Sequence, residues 1–167
     1  ASFFNCENID IENIKITGQW RYNTDGIDLV NCKNITIKNS YLHAFDDVIS
    51  IKAYSQFRKA SIETVENILV KDCVLWCDWG KCIETWCGHK PTEIKNVVFR
   101  NNYLIHLIKT ALNITVWYGS NKSVVKDITY ENIYIDLDRD YDFPQYDNSG
   151  KDAFKKEKGF LPSVVNV

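Results

Sequence analysis

Polar and apolar residues alternate along most of this chain, and asparagine or aspartate interrupts the alternation at recurring places. Ile9 and Ile11, Ile35 and Ile37, Ile68 and Val70, Val97 and Phe99, and Ile128 and Tyr130 stand one and three positions after Asn8, Asn34, Asn67, Asn96 and Asp127. A period of two marks a strand with one buried face. The anchors lie 26, 33, 29 and 31 residues apart, and five positions after each comes a second polar turn residue: Asn13, Asn39, Asp72, Asn101 and Asn132. Repeats of this length cannot bury their apolar edges singly, so they stack into a solenoid whose irregular extra residues go to loops. The pattern predicts an all-β fold over residues 1–135. It consists of short parallel strands in about five rungs, with two polar ladders at turns that Asn and Asp tolerate.

Stacking gives the acidic residues a second meaning. Asp25 and Asp47 are each followed at +2 and +4 by apolar residues, Ile27 and Leu29 in one case and Ile49 and Ile51 in the other. The two acids therefore occupy one column, with Asp46 beside them. Strand neighbours lie roughly 4.8 Å apart, which crowds three carboxyls into one patch. Like charges there raise one another's pKa at a cost in stability. An acid–base site needs such crowding, because one carboxyl has to stay protonated while others are ionised.

Composition narrows the classes. With 167 residues, 45% apolar and a formal charge of −2, the chain suits one globular unit and offers no basic field for nucleic acid. No apolar run of about 18 residues suggests a membrane helix, and Ala1-Ser2-Phe3-Phe4-Asn5 has none of the features of a signal peptide. The chain opens inside a repeat and closes on Leu161-Pro162-Ser163-Val164-Val165-Asn166-Val167, so a fragment of a longer helix is expected, with residues 161–167 starting a further rung. Residues 136–160, with Asp138-Arg139-Asp140-Tyr141-Asp142 and Lys155-Lys156-Glu157-Lys158, are expected to form a solvated loop excursion. Cys73, Cys77, Cys82 and Cys87 lack the paired spacing of a zinc site, and Cys6 and Cys32 share a repeat position suited to small buried side chains. His43, His89 and His106 form no motif.

Asn23-Thr24-Asp25-Gly26, with Asp46-Asp47 beginning 21 residues after Asp25, resembles the polygalacturonases and relatives of glycoside hydrolase family 28. These are right-handed parallel β-helices of the pectin-lyase-like superfamily. The resemblance covers about residues 5–135. It implies Asp46 as general acid, and hence as the carboxyl with the most raised pKa of the three, and Asp25 with Asp47 as the pair that activates water, in a hydrolysis with inversion. It also implies a polysaccharide substrate, no cofactor or metal, and a secreted or periplasmic protein. Trp76-Cys77-Asp78-Trp79-Gly80-Lys81 is similar to a strand of bacterial β-helix proteins related to the family, and points to a bacterial origin. Inversion ordinarily leaves the carboxyls roughly 6.5–9.5 Å apart, with room for a water.

Departures from the family pattern bear on specificity. Where the family has Gly-His-Gly, this chain has Gly80-Lys81-Cys82, which puts Lys81 in the column of Asp25 and Asp47. Glu84 lies level with Asp28, Ser50 and Asn113. Asn113-Ile114-Thr115 replaces the family's Arg-Ile-Lys, removing the cations that would hold a uronate carboxylate. A neutral or methyl-esterified glycan is therefore expected, with Lys81, Glu84, Asp28, Asn113 and Thr115 in contact with it. Trp20, Tyr22, Trp76, Trp79, Trp86, Trp117 and Tyr118 flank the acidic strands, and Trp79 and Trp117 are the expected stacking platforms for sugar rings. Two further readings remain open. One is a calcium-dependent lyase, with Asp25, Asp28, Asp46, Asp47 and Glu84 around the ion and Lys81 as a base of lowered pKa. The other is a non-catalytic glycan-binding coil.

Overall fold

The computed structural model describes residues 1–21, 23–54, 63–88, 91–116, 122–138 and 162–167. The strands fall into rungs of three. The first holds β1 (Ser2–Phe4), β2 (Glu7–Glu12) and β3 (Lys15–Ile16), and the second β4 (Ile27–Val30), β5 (Lys33–Lys38) and β6 (Tyr41–Ala44). The third holds β7 (Ile49–Ala53), β8 (Glu63–Lys71) and β9 (Val74–Cys77), and the fourth β10 (Lys81–Cys87), β11 (Thr92–Arg100) and β12 (Tyr103–Leu107). A fifth comprises β13 (Thr110–Val116), β14 (Val124–Glu131) and β15 (Tyr134–Leu137), and β16 (Ser163–Asn166) pairs with β13.

Like-numbered strands of successive rungs pair in parallel, giving one six-stranded and two five-stranded sheets. The molecule is a right-handed parallel β-helix, the hand expected when parallel strands are joined by crossovers. Of the excursion expected over residues 136–160, Asp136 and Leu137 belong to β15 instead, and residues 139–160 lie outside the described residues.

The inward columns follow the alternation. Ile27, Ile49, Ile83 and Leu112 stack in the first sheet, Ile35, Ile68 and Val97 in the second, and Leu42, Leu75 and Leu104 in the third. All are buried, and each such side chain contributes roughly 1.5–3 kcal/mol on leaving water. The six cysteines are free, five of them buried in or against this core.

The polar anchors do more than end strands. Asn8, Asn34, Asn67, Asn96 and Asp127 have φ of 60, 56, 59, 53 and 55° and sit within the second-sheet strands, which bend there. Asn13, Asn39, Asp72, Asn101 and Asn132 make the next corner, with φ of 54, 51, 55, 54 and 52°. Asparagine and aspartate enter this left-handed region at less cost than other side-chain-bearing residues. The Nδ2 of Asn34 donates to Oδ1 of Asn8 at 3.0 Å, Asn67 to Asn34 at 2.8 Å, and Asn96 to Asn67 at 2.6 Å.

Both properties are testable at Asn67. Asn67→Ala should cost about 1–3 kcal/mol, from the ladder bonds and a Cβ without compensation at positive φ. Asn67→Gly should cost less, because glycine removes the steric part. Urea denaturation midpoints of the two variants check this, and equal losses would mean that the backbone conformation is not what asparagine supplies.

Candidate active site

The corner between the third and first sheets carries the acids. It comprises the segment ahead of β4, the turn Phe45–Val48 between β6 and β7, Asp78–Gly80 ahead of β10, and Ile108–Lys109 ahead of β13. Two glycines let these turns stack closely. A Cβ on Gly26 would stand 2.5 Å from the carbonyl oxygen of Val48, and one on Gly80 would stand 2.4 Å from the carbonyl carbon of Asp46.

Asp25, Asp46 and Asp47 come together as the columns require. One oxygen of each lies within 4.8 Å of the others. That spacing is tighter than the separation expected for inversion, because acids on adjacent rungs inherit the rung spacing. One water can still bond to two oxygens no more than 4.8 Å apart at about 2.8 Å each, and the same three oxygens could surround a divalent cation.

Each acid has different support. The Asp46 carboxyl is 9% exposed and accepts the backbone N–H of Asn23 at 2.7 Å. Among the described residues, no side-chain cation lies within 4.0 Å of it. Burial raises its pKa, the Asn23 bond opposes this, and Asp47 adds to the rise. Asp47 is 6% exposed; it accepts the Lys81 backbone N–H at 2.9 Å and the Ser50 hydroxyl at 3.1 Å, with the Lys81 ammonium 3.8 Å away.

Asp25 is paired at 2.8 Å with Lys52, a residue the sequence reading missed. Asp25 is raised to about 7: burial pushes it up, Lys52 pulls it down, and Asp28 adds to the rise. Asp25 is thus raised further than Asp46. It shares its burial with a second carboxylate, whereas a backbone N–H favours the charged form of Asp46.

The expected contact residues sort unevenly. Asp28 lies level with Ser50, as the register predicts, but its oxygens are held by Lys52 at 2.6 Å and Ser2 at 2.9 Å. Burial alone would raise Asp28, yet Lys52 brings it below the usual range. Glu84 pairs in register with Ser50 and Asn113 and is 3% exposed. Its Oε2 accepts from Asn113 at 2.8 Å and lies 3.3 Å from Lys81, while Oε1 is buried without a partner.

Asn113 is also 3% exposed. Its amide donates to Glu84 and Thr115 and accepts from Asn166 at 2.6 Å. It is therefore enclosed by neighbouring side chains. Trp79 carries the Lys109 ammonium 3.4 Å from its ring centroid, so one of its faces is closed to a sugar. Trp76 is stacked between His43 and His106, at 4.6 and 4.0 Å. Trp86 faces Lys52 in register, with Tyr54 5.3 Å away. Tyr22, Trp117 and Tyr118 lie outside the described residues.

Two findings count against the lyase reading. Burial would lower the Lys81 pKa, but Asp47 and Glu84 more than offset it and raise it, so this lysine is held protonated and is a poor base. Asp28 and Glu84 turn their oxygens to lysines instead of joining the other three acids. Lys109 was also missed. It stands one residue before Thr110, which pairs with Lys81, and so extends the column of Asp46 and Gly80. Burial lowers its pKa, against the pull of Asp46.

The chain is thus a parallel β-helix with three clustered aspartates at one corner. The sequence profile of glycosyl hydrolases family 28 matches residues 1–140, and the chain belongs to that family. It is 29% identical over 153 residues to the exopolygalacturonase clone GBGE184 of Arabidopsis thaliana, covering 76% of this chain and 36% of that protein. It is 32% identical over 98 residues to a dextranase of Arthrobacter sp. (strain CB-8), covering 59% and 13%. Exopolygalacturonase rpg15 of Rhizopus delemar is 30% identical over 114 residues, covering 68% and 26%. The chain thus spans about a third or less of these relatives. No solved structure matches it significantly.

The raised Asp25 predicts a stability effect of definite sign. Folded Asp25 holds its proton more tightly than the unfolded chain does, so it favours folding at low pH. That contribution is lost as pH rises from about 3.8 toward about 7. The Tm of Asp25→Asn relative to the parent should therefore climb across this window, as thermal melts at several pH values would show; a constant difference would mean that Asp25 titrates normally.

Proposed function

We propose that the protein is a glycoside hydrolase of a polysaccharide, with Asp46 as general acid and Asp25 and Asp47 as the pair that activates water. One observation carries the assignment: Lys52 stands 2.8 Å from Asp25 and Lys81 stands 3.8 Å from Asp47, while Asp46 has no cation within 4.0 Å among the described residues. Burial and the neighbouring Asp47 raise Asp46 with no ammonium held against it, which suits it to carry a proton to the leaving group. Asp46 gives this proton to the glycosidic oxygen as the bond to the anomeric carbon breaks. Water bound between Asp25 and Asp47 adds to that carbon from the other face, passing its proton to Asp25, a base poised near neutrality as general-base catalysis favours. The configuration inverts. A polymer substrate places the protein outside the cytoplasm, secreted or periplasmic.

Asp46→Asn should lower turnover about 10²–10⁴-fold and leave oligosaccharide binding nearly intact, with chelators having no effect. Release of reducing ends and calorimetric binding measure the two, and NMR of the first product anomer reads the inversion. Activity lost to chelator and restored by calcium would replace this reading, as would binding without any release of reducing ends in the parent.

The substrate we propose is a neutral or methyl-esterified glycan. Lys52 is held by Asp25 and Asp28, and Lys81 by Asp47 and Glu84, while Asn113 and Thr115 stand where a carboxylate clamp would be. The dextranase relative favours a neutral glucan, the exopolygalacturonases a uronate. Initial rates on dextran, methyl-esterified pectin and polygalacturonate should be lowest on the last. Fastest turnover of polygalacturonate would overturn the proposal and point to Lys109, whose ammonium has no carboxylate within 4.0 Å among the described residues.

A further inference from the structure

The shortest ion-pair contacts at the site belong to Lys52, at 2.6 Å to Asp28 and 2.8 Å to Asp25, against 3.3 and 3.8 Å for Lys81. It projects from β7, where it pairs in register with Val30 and Trp86. Asp28 is fixed from its other side by the Ser2 hydroxyl at 2.9 Å. The ammonium therefore sits between an acid anchored by two partners and an acid of the candidate base pair. Among the described residues, the charged groups facing Asp25 are Lys52 from β7, Asp28 from its own rung, and Asp46 and Asp47 from the turn ahead of β7. Three of these four are acids that oppose ionisation of Asp25.

We propose that Lys52 is a positioning residue for the reaction: clamped by Asp28, it fixes the Asp25 carboxylate and keeps it ionisable as the base within the acidic cluster. This rests on the hydrolase reading for its catalytic meaning, but not for its electrostatics. An opposite charge at hydrogen-bond distance lowers a carboxyl pKa by about 1–3 units. Without Lys52, burial and three neighbouring acids would leave Asp25 protonated at neutral pH, with no capacity to accept a proton from water. Asp28 acts in the opposite sense. Its charge holds Lys52 in place but also raises Asp25 directly.

The two residues therefore make opposed predictions. In the full chain, the Asp25 midpoint read by ¹³C carboxyl NMR should rise by about one pH unit or more in Lys52→Met. The acid limb of the kcat profile should move by the same amount, with KM changing less than kcat. Lys52→Arg keeps a charge that can bond both carboxylates and should restore the midpoint and most of kcat.

Asp28→Asn should instead lower the midpoint. Removing Lys52 leaves Asp28 buried without its cation, which can unfold the chain. The double variant Asp28→Asn with Lys52→Met avoids this and should titrate above Asp28→Asn alone. An Asp25 midpoint that is unchanged in Lys52→Met, or unchanged between the double variant and Asp28→Asn, would overturn the proposal, as would a loss of kcat with no movement of the pH profile. If the parent cleaves no polysaccharide, the hydrolase reading fails while the NMR titration still decides the role of Lys52.

Discussion

A parallel coil stacked roughly 4.8 Å above its neighbour has to turn its corners where the neighbour turns its own. The rest of this structure depends on that registry. Among the described residues, the two corner columns of five positions each take positive φ, and all ten of these positions are Asn or Asp. Their side chains add a second restraint, because an amide at the first corner can donate to the coil on one side while accepting from the other, as Asn34 and Asn67 do. A coil that slipped by one residue would lose its corner, its amide bond and its buried face together. Registry is thus enforced by backbone conformation, hydrogen bonding and burial at once.

The stacking that places isoleucine over isoleucine also places carboxyl over carboxyl. Apolar columns gain from this and acidic columns lose, so the acidic corner needs compensation that the core does not. Three lysines stand there, Lys52, Lys81 and Lys109, one on each of three successive rungs. The first two neutralise acids in pairs; the third lies over an indole. Asp46, at the centre of this arrangement, is left with a backbone N–H and, among the described residues, no ammonium within 4.0 Å. The chemistry proposed for the site follows from this uneven distribution of cations more than from the acids themselves, which are alike in type and crowding.

Much of this was legible in the sequence because a solenoid converts linear period into spatial neighbourhood. The alternation Ile27, Leu29 and Ile49, Ile51 was enough to bring Asp25 beside Asp47, and the same phase put Glu84 level with Ser50 and Asn113. Lys52 could have been found by that rule, since it follows Ser50 by two on the outward phase, and Lys109 could have been found from its place before Thr110. A column, however, gives the location of a Cα and not the reach of a side chain. Asn113 occupies the predicted place but is enclosed by Glu84, Thr115 and Asn166.

The sequence by itself determined the strands, the corners and the assembly of three aspartates, because all of these depend on backbone period and on residue types at fixed phase. Only the tertiary structure decided how the charges are shared. Lys81 begins in the column of Asp25 and Asp47, yet its ammonium reaches Asp47 and Glu84, while Asp25 is taken by Lys52. A lysine carries its charge on a flexible four-carbon stem, long enough to pass from one rung to the next. Where that charge comes to rest is set by the acids already buried around it, and no local pattern in the chain encodes their competition.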